Sequence, residues 1–181
     1  MENRELIFLK PETLERKLVG KVISRFEDAG FRIEKIKKGR VTKELAELLY
    51  PNSEEQLKGM GNKTLKAMEE RGGKDKVMEV FGTMEPYAIG EILNGWNRQY
   101  ATSGEVIAVV IQNEDAPNKA RALIGKTDPA LADKGTIRGD YAADSIYQAN
   151  IEKRGCKNLV HASDDQRAAV EIELFEKHFF K

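Results

Sequence analysis

Apolar positions divide the chain into short compact runs and longer stretches of helical periodicity, in alternation. Residues 5–9 (ELIFL) form a short apolar run that begins at Glu5 and is closed by Lys10-Pro11, the pattern of a buried strand. Leu14, Leu18, Val19, Val22, Ile23 and Phe26 then recur at helical spacing, with Gly30 placed to stop the helix. FRIEKIKKGRV follows with the rough alternation of a half-buried strand, and its Lys-Lys-Gly end suits a bulge or a sheet edge. TKELAELLY (42–50) predicts a short helix capped by Thr42 and halted by Pro51. GEVIAVVIQ (104–112) is a β-branched run opened by glycine, the clearest strand of the chain. Asp115 to Gly125 predicts a short helix, residues 126–157 a long loop, and KNLVHAS a last short strand. A final helix from about Asp164 carries Ala168, Ile172, Phe175 and Phe179 on one face.

Strands and helices in this order, with two crossovers, fit a βαββαβ unit with helices on one face of the sheet. Between the second helix and the third strand lies extra chain at about 51–100. Its first part is rich in Lys, Glu and Gly and predicts one or two helical pieces on a solvated surface excursion. Residues 85–101, with Ile89, Ile92, Leu93 and Trp96, predict a further helix. The whole is read as one domain, residues 1–181, with an insertion.

Composition narrows what such a domain can do. Thirty basic and thirty acidic side chains give zero formal charge, against the basic excess of a dedicated nucleic-acid binder. Any bound anion must therefore be met by a local cluster of cations. One cysteine, Cys156, allows no internal disulfide. No apolar run is long enough to span a bilayer, and the N-terminus carries charges where a signal peptide would be apolar. A cytoplasmic protein without membrane partners is expected.

Neither GxxxxGK[ST] nor GxGxxG is present, so a bound nucleotide would need side chains to hold its phosphates. Three segments offer cations or hydroxyls: Lys10 at a strand end, RALIGKT with Arg121 and Thr127, and GTIRGD with Arg138. Arg138, flanked by a glycine in a loop, is expected to have little packing role. In NLVHASDD, His161 ends an apolar strand just before a helix, a place that favours a transferred anion. A nucleophilic imidazole needs its other ring nitrogen anchored, and Glu171 on the following helix is placed to do so. Ser163 reads equally as a helix cap, three residues ahead of Gln166 in a capping box. His178, near a helix C-terminus, complements the helix dipole and carries no catalytic expectation.

Taken together and in order, IFLKPETLERKLVGKVISRFEDAGFRI, RALIGKTDP, KGTIRGDYA and NLVHASDD…EIELF resemble the nucleoside diphosphate kinases, over roughly residues 4–50 and 104–177. The resemblance implies an α+β, ferredoxin-like βαββαβ antiparallel sheet and ping-pong phosphoryl transfer from nucleoside triphosphates to diphosphates, ATP and GTP among them. It casts His161 as the phosphorylated histidine, supported by Ser163 and Glu171. Lys10, Tyr50, Arg121, Thr127, Arg138 and Asn158 correspond to nucleotide-binding residues. It implies Mg²⁺ held by the nucleotide's phosphates and a homo-oligomer, hexamer or tetramer. The base-clamping pair has no clear counterpart, and Trp96, Leu93 and Tyr87 are candidates. A catalytically silent nucleotide-binding or assembly module is the alternative, but such a module has no need of His161, Lys10, both arginines and Asn158 together. A nucleic-acid regulator fits poorly, because the strands lack interleaved aromatics.

Overall fold

The computed structural model describes residues 3–163 and 167–181. The expected start of the last helix at Asp164 and the Gln166 half of the capping box lie outside those residues.

Four strands, β1 (Arg4–Leu9), β2 (Arg32–Arg40), β3 (Glu105–Gln112) and β4 (Val160–Ala162), form one sheet in the order β2-β3-β1-β4. Every neighbouring pair is antiparallel, with Phe8 opposite both Ala108 of β3 and His161 of β4. This is the expected ferredoxin-like arrangement. β2 is an edge strand, and its register slips between Ile33 and Lys35 instead of at the Lys-Lys-Gly end.

β1 has no polar alternation in its middle because it is covered on both sides. Ile7 and Leu9 pack against α2 (Val19–Asp28) and α6 (Ala116–Ile124). Leu6 and Phe8 pack against α3 (Lys43–Leu49) and α9 (Ala168–His178). The expectation of helices on one face is therefore corrected. The two crossover helices lie on one face, while α3 and α9 shield the other. A strand enclosed between two helical layers reads as a continuous apolar run.

Local signals account for several boundaries. Thr42 caps α3 by accepting the Leu45 N–H at 3.1 Å. Glu85 caps α5 (Pro86–Thr102) through Tyr87 and Ala88, with Pro86 in the first turn. The helix expected from Leu14 to Phe26 is two: α1 (Pro11–Glu15) ends in a turn through Lys17, at φ 57°, before α2 begins. The expected loop 126–157 contains a 3-10 turn at Pro129–Leu131 and two short helices, α7 (Ile137–Tyr141) and α8 (Ile146–Ile151).

The extra chain is no solvated excursion. α4 (Glu54–Phe81) runs as two helical pieces joined at Gly73, whose φ of 73° breaks the helix, and it packs along α5. Met68, Val77, Val80, Phe81, Ile89 and Leu93 form a core of their own. Tyr147 and Ile151 of α8 pack on it, so the long loop after α7 and the insertion support each other.

Candidate active site

His161 sits on β4, the edge strand beside β1, and its imidazole stacks on Phe8 with ring centroids 4.8 Å apart. Tyr50, at the end of α3, meets the ring edge-on at 5.9 Å. From the first turn of α9, the Glu171 carboxylate lies 2.9 Å from Nε2 of His161. The same oxygen accepts the Ser163 hydroxyl at 2.7 Å. Glu171 is almost wholly buried. Burial pushes its pKa up, but the His161 ring, the Ser163 hydroxyl and Arg167 outweigh that and hold it below the ordinary value. An ionised carboxylate on Nε2 keeps the ring proton there, which leaves the lone pair on Nδ1. Ser163 thus spends its hydroxyl on Glu171.

Asn158, two residues before β4, gathers the neighbouring cations. Its Oδ1 accepts from Lys10 Nζ at 2.7 Å, its Nδ2 donates to the Thr127 carbonyl at 2.9 Å, and its own carbonyl accepts Arg138 Nε at 3.1 Å. Lys10 does not project into solvent. It is 9% exposed, lies over the Tyr100 ring at 5.5 Å, and its pKa is lowered to about 8, first by burial and then by Arg138.

Arg138 corrects a second expectation. It lies on α7, 8% exposed, and donates to the carbonyls of Gly125, Asn158 and Val160. Burial lowers its pKa to about 10, which leaves it a cation at neutral pH. Its guanidinium therefore ties three chain segments together as well as carrying charge.

Arg121, Lys126, Thr127 and Arg138 line one open cleft of about 490 Å³, bordered by Gly125, Thr136, Asp133 and Ala162, the residue after His161. Among the described residues, no cluster of three His, Cys, Asp or Glu side chains could cage a metal. The cleft instead presents cations and hydroxyls, the donor set for an anion that brings its own metal.

None of the three base-clamp candidates lines this cleft. Leu93 is buried in the α4–α5 core, Trp96 stacks on Phe81 at 5.7 Å, and Tyr87 is half-buried at the start of α5. The other histidine, His178, ends α9 as expected. Two participants had no sequence signal. Glu12 accepts the Leu159 N–H at 2.8 Å and the Tyr100 hydroxyl at 2.6 Å, bracing the strand that carries His161. Phe8 supplies the floor beneath the imidazole. Glu12 looked like any acidic residue in a first helical turn, and Phe8 like core.

A ferredoxin-like sheet bearing a carboxylate-anchored histidine, beside a cleft of cations and hydroxyls, defines a class of protein that sets a fixed imidazole next to a surface suited to anions. The comparisons narrow the class. The nucleoside diphosphate kinase family model matches residues 3–71 and 96–179, leaving residues 72–95 of the helical hairpin outside the match. A nucleoside diphosphate kinase of Pyrobaculum aerophilum is 42% identical over 166 residues, covering 92% of this chain and 90% of that one. A nucleoside diphosphate kinase of Methanocaldococcus jannaschii is 34% identical over 178 residues, covering 98% and 95%. The crystal structure of an NDP kinase from Pyrobaculum aerophilum superposes with a TM-score of 0.90 at 38% identity, over 99% of both chains. The chain belongs to the nucleoside diphosphate kinase family.

Proposed function

We propose that this protein is an active nucleoside diphosphate kinase whose phosphoryl carrier is Nδ1 of His161. The observation that carries the reading is the 2.9 Å contact between Nε2 and the buried Glu171 carboxylate, which fixes the tautomer and orientation a nucleophile needs. Nδ1 attacks the γ-phosphorus in line, the bond to the bridging oxygen breaks, and the diphosphate leaves with the electron pair. No proton has to leave the ring, because Nε2–H stays on Glu171. A second diphosphate then attacks the phosphohistidine and reverses the step. Arg121, Arg138, Lys10, Thr127 and Asn158 hold the phosphates and stabilise charge on the transferring oxygens. Mg²⁺ bound with the nucleotide would supply further charge neutralisation, and Arg121, Thr127 and Arg138 would hold the phosphates that carry it.

Retention of a cationic cage and an anchored histidine together weighs against a silent module. We further propose a homo-oligomer, hexamer or tetramer, acting in the cytoplasm; among the described residues no helix is long and apolar enough to cross a membrane.

The test is incubation with γ-labelled ATP, followed by a search for acid-labile, base-stable label on the protein. Wild type and His178→Asn should take up label, and His161→Asn should take up none. Label that persists on His161→Asn would sink the mechanism.

A further inference from the structure

A further carboxylate linked to His161 through Ser163 and Glu171 belongs to Glu5, at the start of β1, and phosphoryl transfer as described makes no use of it. Glu5 is fully buried. Its Oε1 accepts the Ser163 backbone N–H at 3.0 Å, while its Oε2 is buried and has no hydrogen-bond partner among the described residues. Ser163 in turn donates its hydroxyl to Glu171, and Glu171 holds His161. A continuous chain of contacts therefore runs from Glu5 through Ser163 and Glu171 to the reactive imidazole.

A charged carboxylate with one orphaned oxygen in this interior is costly, whereas the neutral acid is tolerated. Among the described residues, the charged groups that face Glu5 are Glu171 from α9 and Arg121 from α6, and they oppose one another. Burial is the largest influence and, with Glu171, pushes the Glu5 pKa up to about 8 against the Ser163 contacts and Arg121.

We propose that Glu5 is a positioning residue for phosphoryl transfer: as a neutral acid it anchors the Ser163 N–H without setting a second negative charge beside Glu171. Ionised, it repels both Glu171 and the anion being transferred, and the Ser163–Glu171–His161 chain loses its geometry. The rate of phosphohistidine formation should then fall on the alkaline side. This rests on the reading of His161 as carrier.

The test measures that rate from about pH 6 to about pH 10 at saturating nucleotide, where bound phosphates keep Lys10 protonated. Wild type should lose rate with a midpoint near pH 8. Glu5→Gln, which keeps an acceptor and cannot ionise, should shift that limb upward by at least about one pH unit. Glu5→Leu, with no acceptor, should be about tenfold slower than wild type below about pH 7, a loss of roughly 1.4 kcal/mol, without the alkaline limb that Glu5 imposes, and Gln should restore most of the rate. An identical alkaline midpoint in wild type and Glu5→Gln overturns the proposal. Should the variants not fold, the Ser163 amide resonance of the wild type decides. It should titrate with a midpoint near pH 8, and a flat response across that range overturns the proposal equally. Absence of phosphohistidine in wild type would strike the kinase reading instead, leaving the amide titration to judge Glu5.

Discussion

Arg138 makes structural contacts in addition to the phosphate contacts proposed for it. Three carbonyl acceptors converge on the Arg138 guanidinium from Gly125, Asn158 and Val160. Hydrogen bonds to a buried charge are worth about 1.5–3 kcal/mol apiece, and orphaned carbonyls cost further. Arg138→Ala is therefore expected to cost about 3 kcal/mol or more of stability, read as a lower urea midpoint. It should also slow single-turnover transfer by roughly 10²–10³. A wild-type urea midpoint would show that the carbonyl contacts are not structural. The sequence marked Arg138 as a cation in a tight loop but not as a strut, because its acceptors come from segments 13 and more residues away. Glu12 and Glu5 were illegible for the same reason. A carboxylate that braces a distant backbone N–H has no local pattern to distinguish it from a solvated one.

Among the elements, the α4–α5 hairpin departs furthest from its sequence reading. Lysines, glutamates and glycines suggested a surface excursion, yet Gly61 in that stretch and Gly90 on α5 permit close contact. A Cβ on Gly61 would stand 1.8 Å from the Pro86 carbonyl oxygen, and one on Gly90 would stand 2.2 Å from that of Leu57. No side chain fits, so the helix backbones meet at glycines from both partners. Gly61→Val is expected to force the pair apart and cost about 1–3 kcal/mol or more, seen as a lower thermal midpoint. An unchanged midpoint would mean that the crossing carries little of the fold's stability. β1, by contrast, was legible throughout, since an unbroken apolar run has few destinations other than a strand covered on both faces. The faces themselves were not legible, which is why α3 and α9 appear where no layer was expected.

Across the whole molecule, stability should depend on pH through groups whose shifts oppose one another. The raised Glu5 pKa means that the folded state holds a proton the unfolded chain releases between 4.5 and about 8. That contribution is fully present at acid pH and is lost as pH rises through this window. The lowered Glu171 pKa acts the other way, adding stability above 4.5 that is lost as pH falls through its folded value. Lys10 costs stability below about 8, and the cost lessens as pH rises toward 10.5. Glu5→Gln should therefore gain stability relative to wild type progressively from mildly acidic pH to about 8, measured by urea unfolding across that range. A pH-independent difference would show that Glu5 does not titrate in this window.

What the sequence determined by itself was the strand order along the chain, the βαββαβ class and the candidate residues of the proposed site. Periodicity, capping residues and the spacing of KGTIRGD and NLVHASDD are local properties. Tertiary structure alone decided which faces the helices cover, that the insertion has its own core, and that a carboxylate at the start of β1 reaches the histidine's support. These outcomes depend on contacts between residues as much as 158 positions apart, as between Glu5 and Ser163. Burial, which sets the charge states of Glu5, Lys10 and Arg138, exists only once those distant segments have come together.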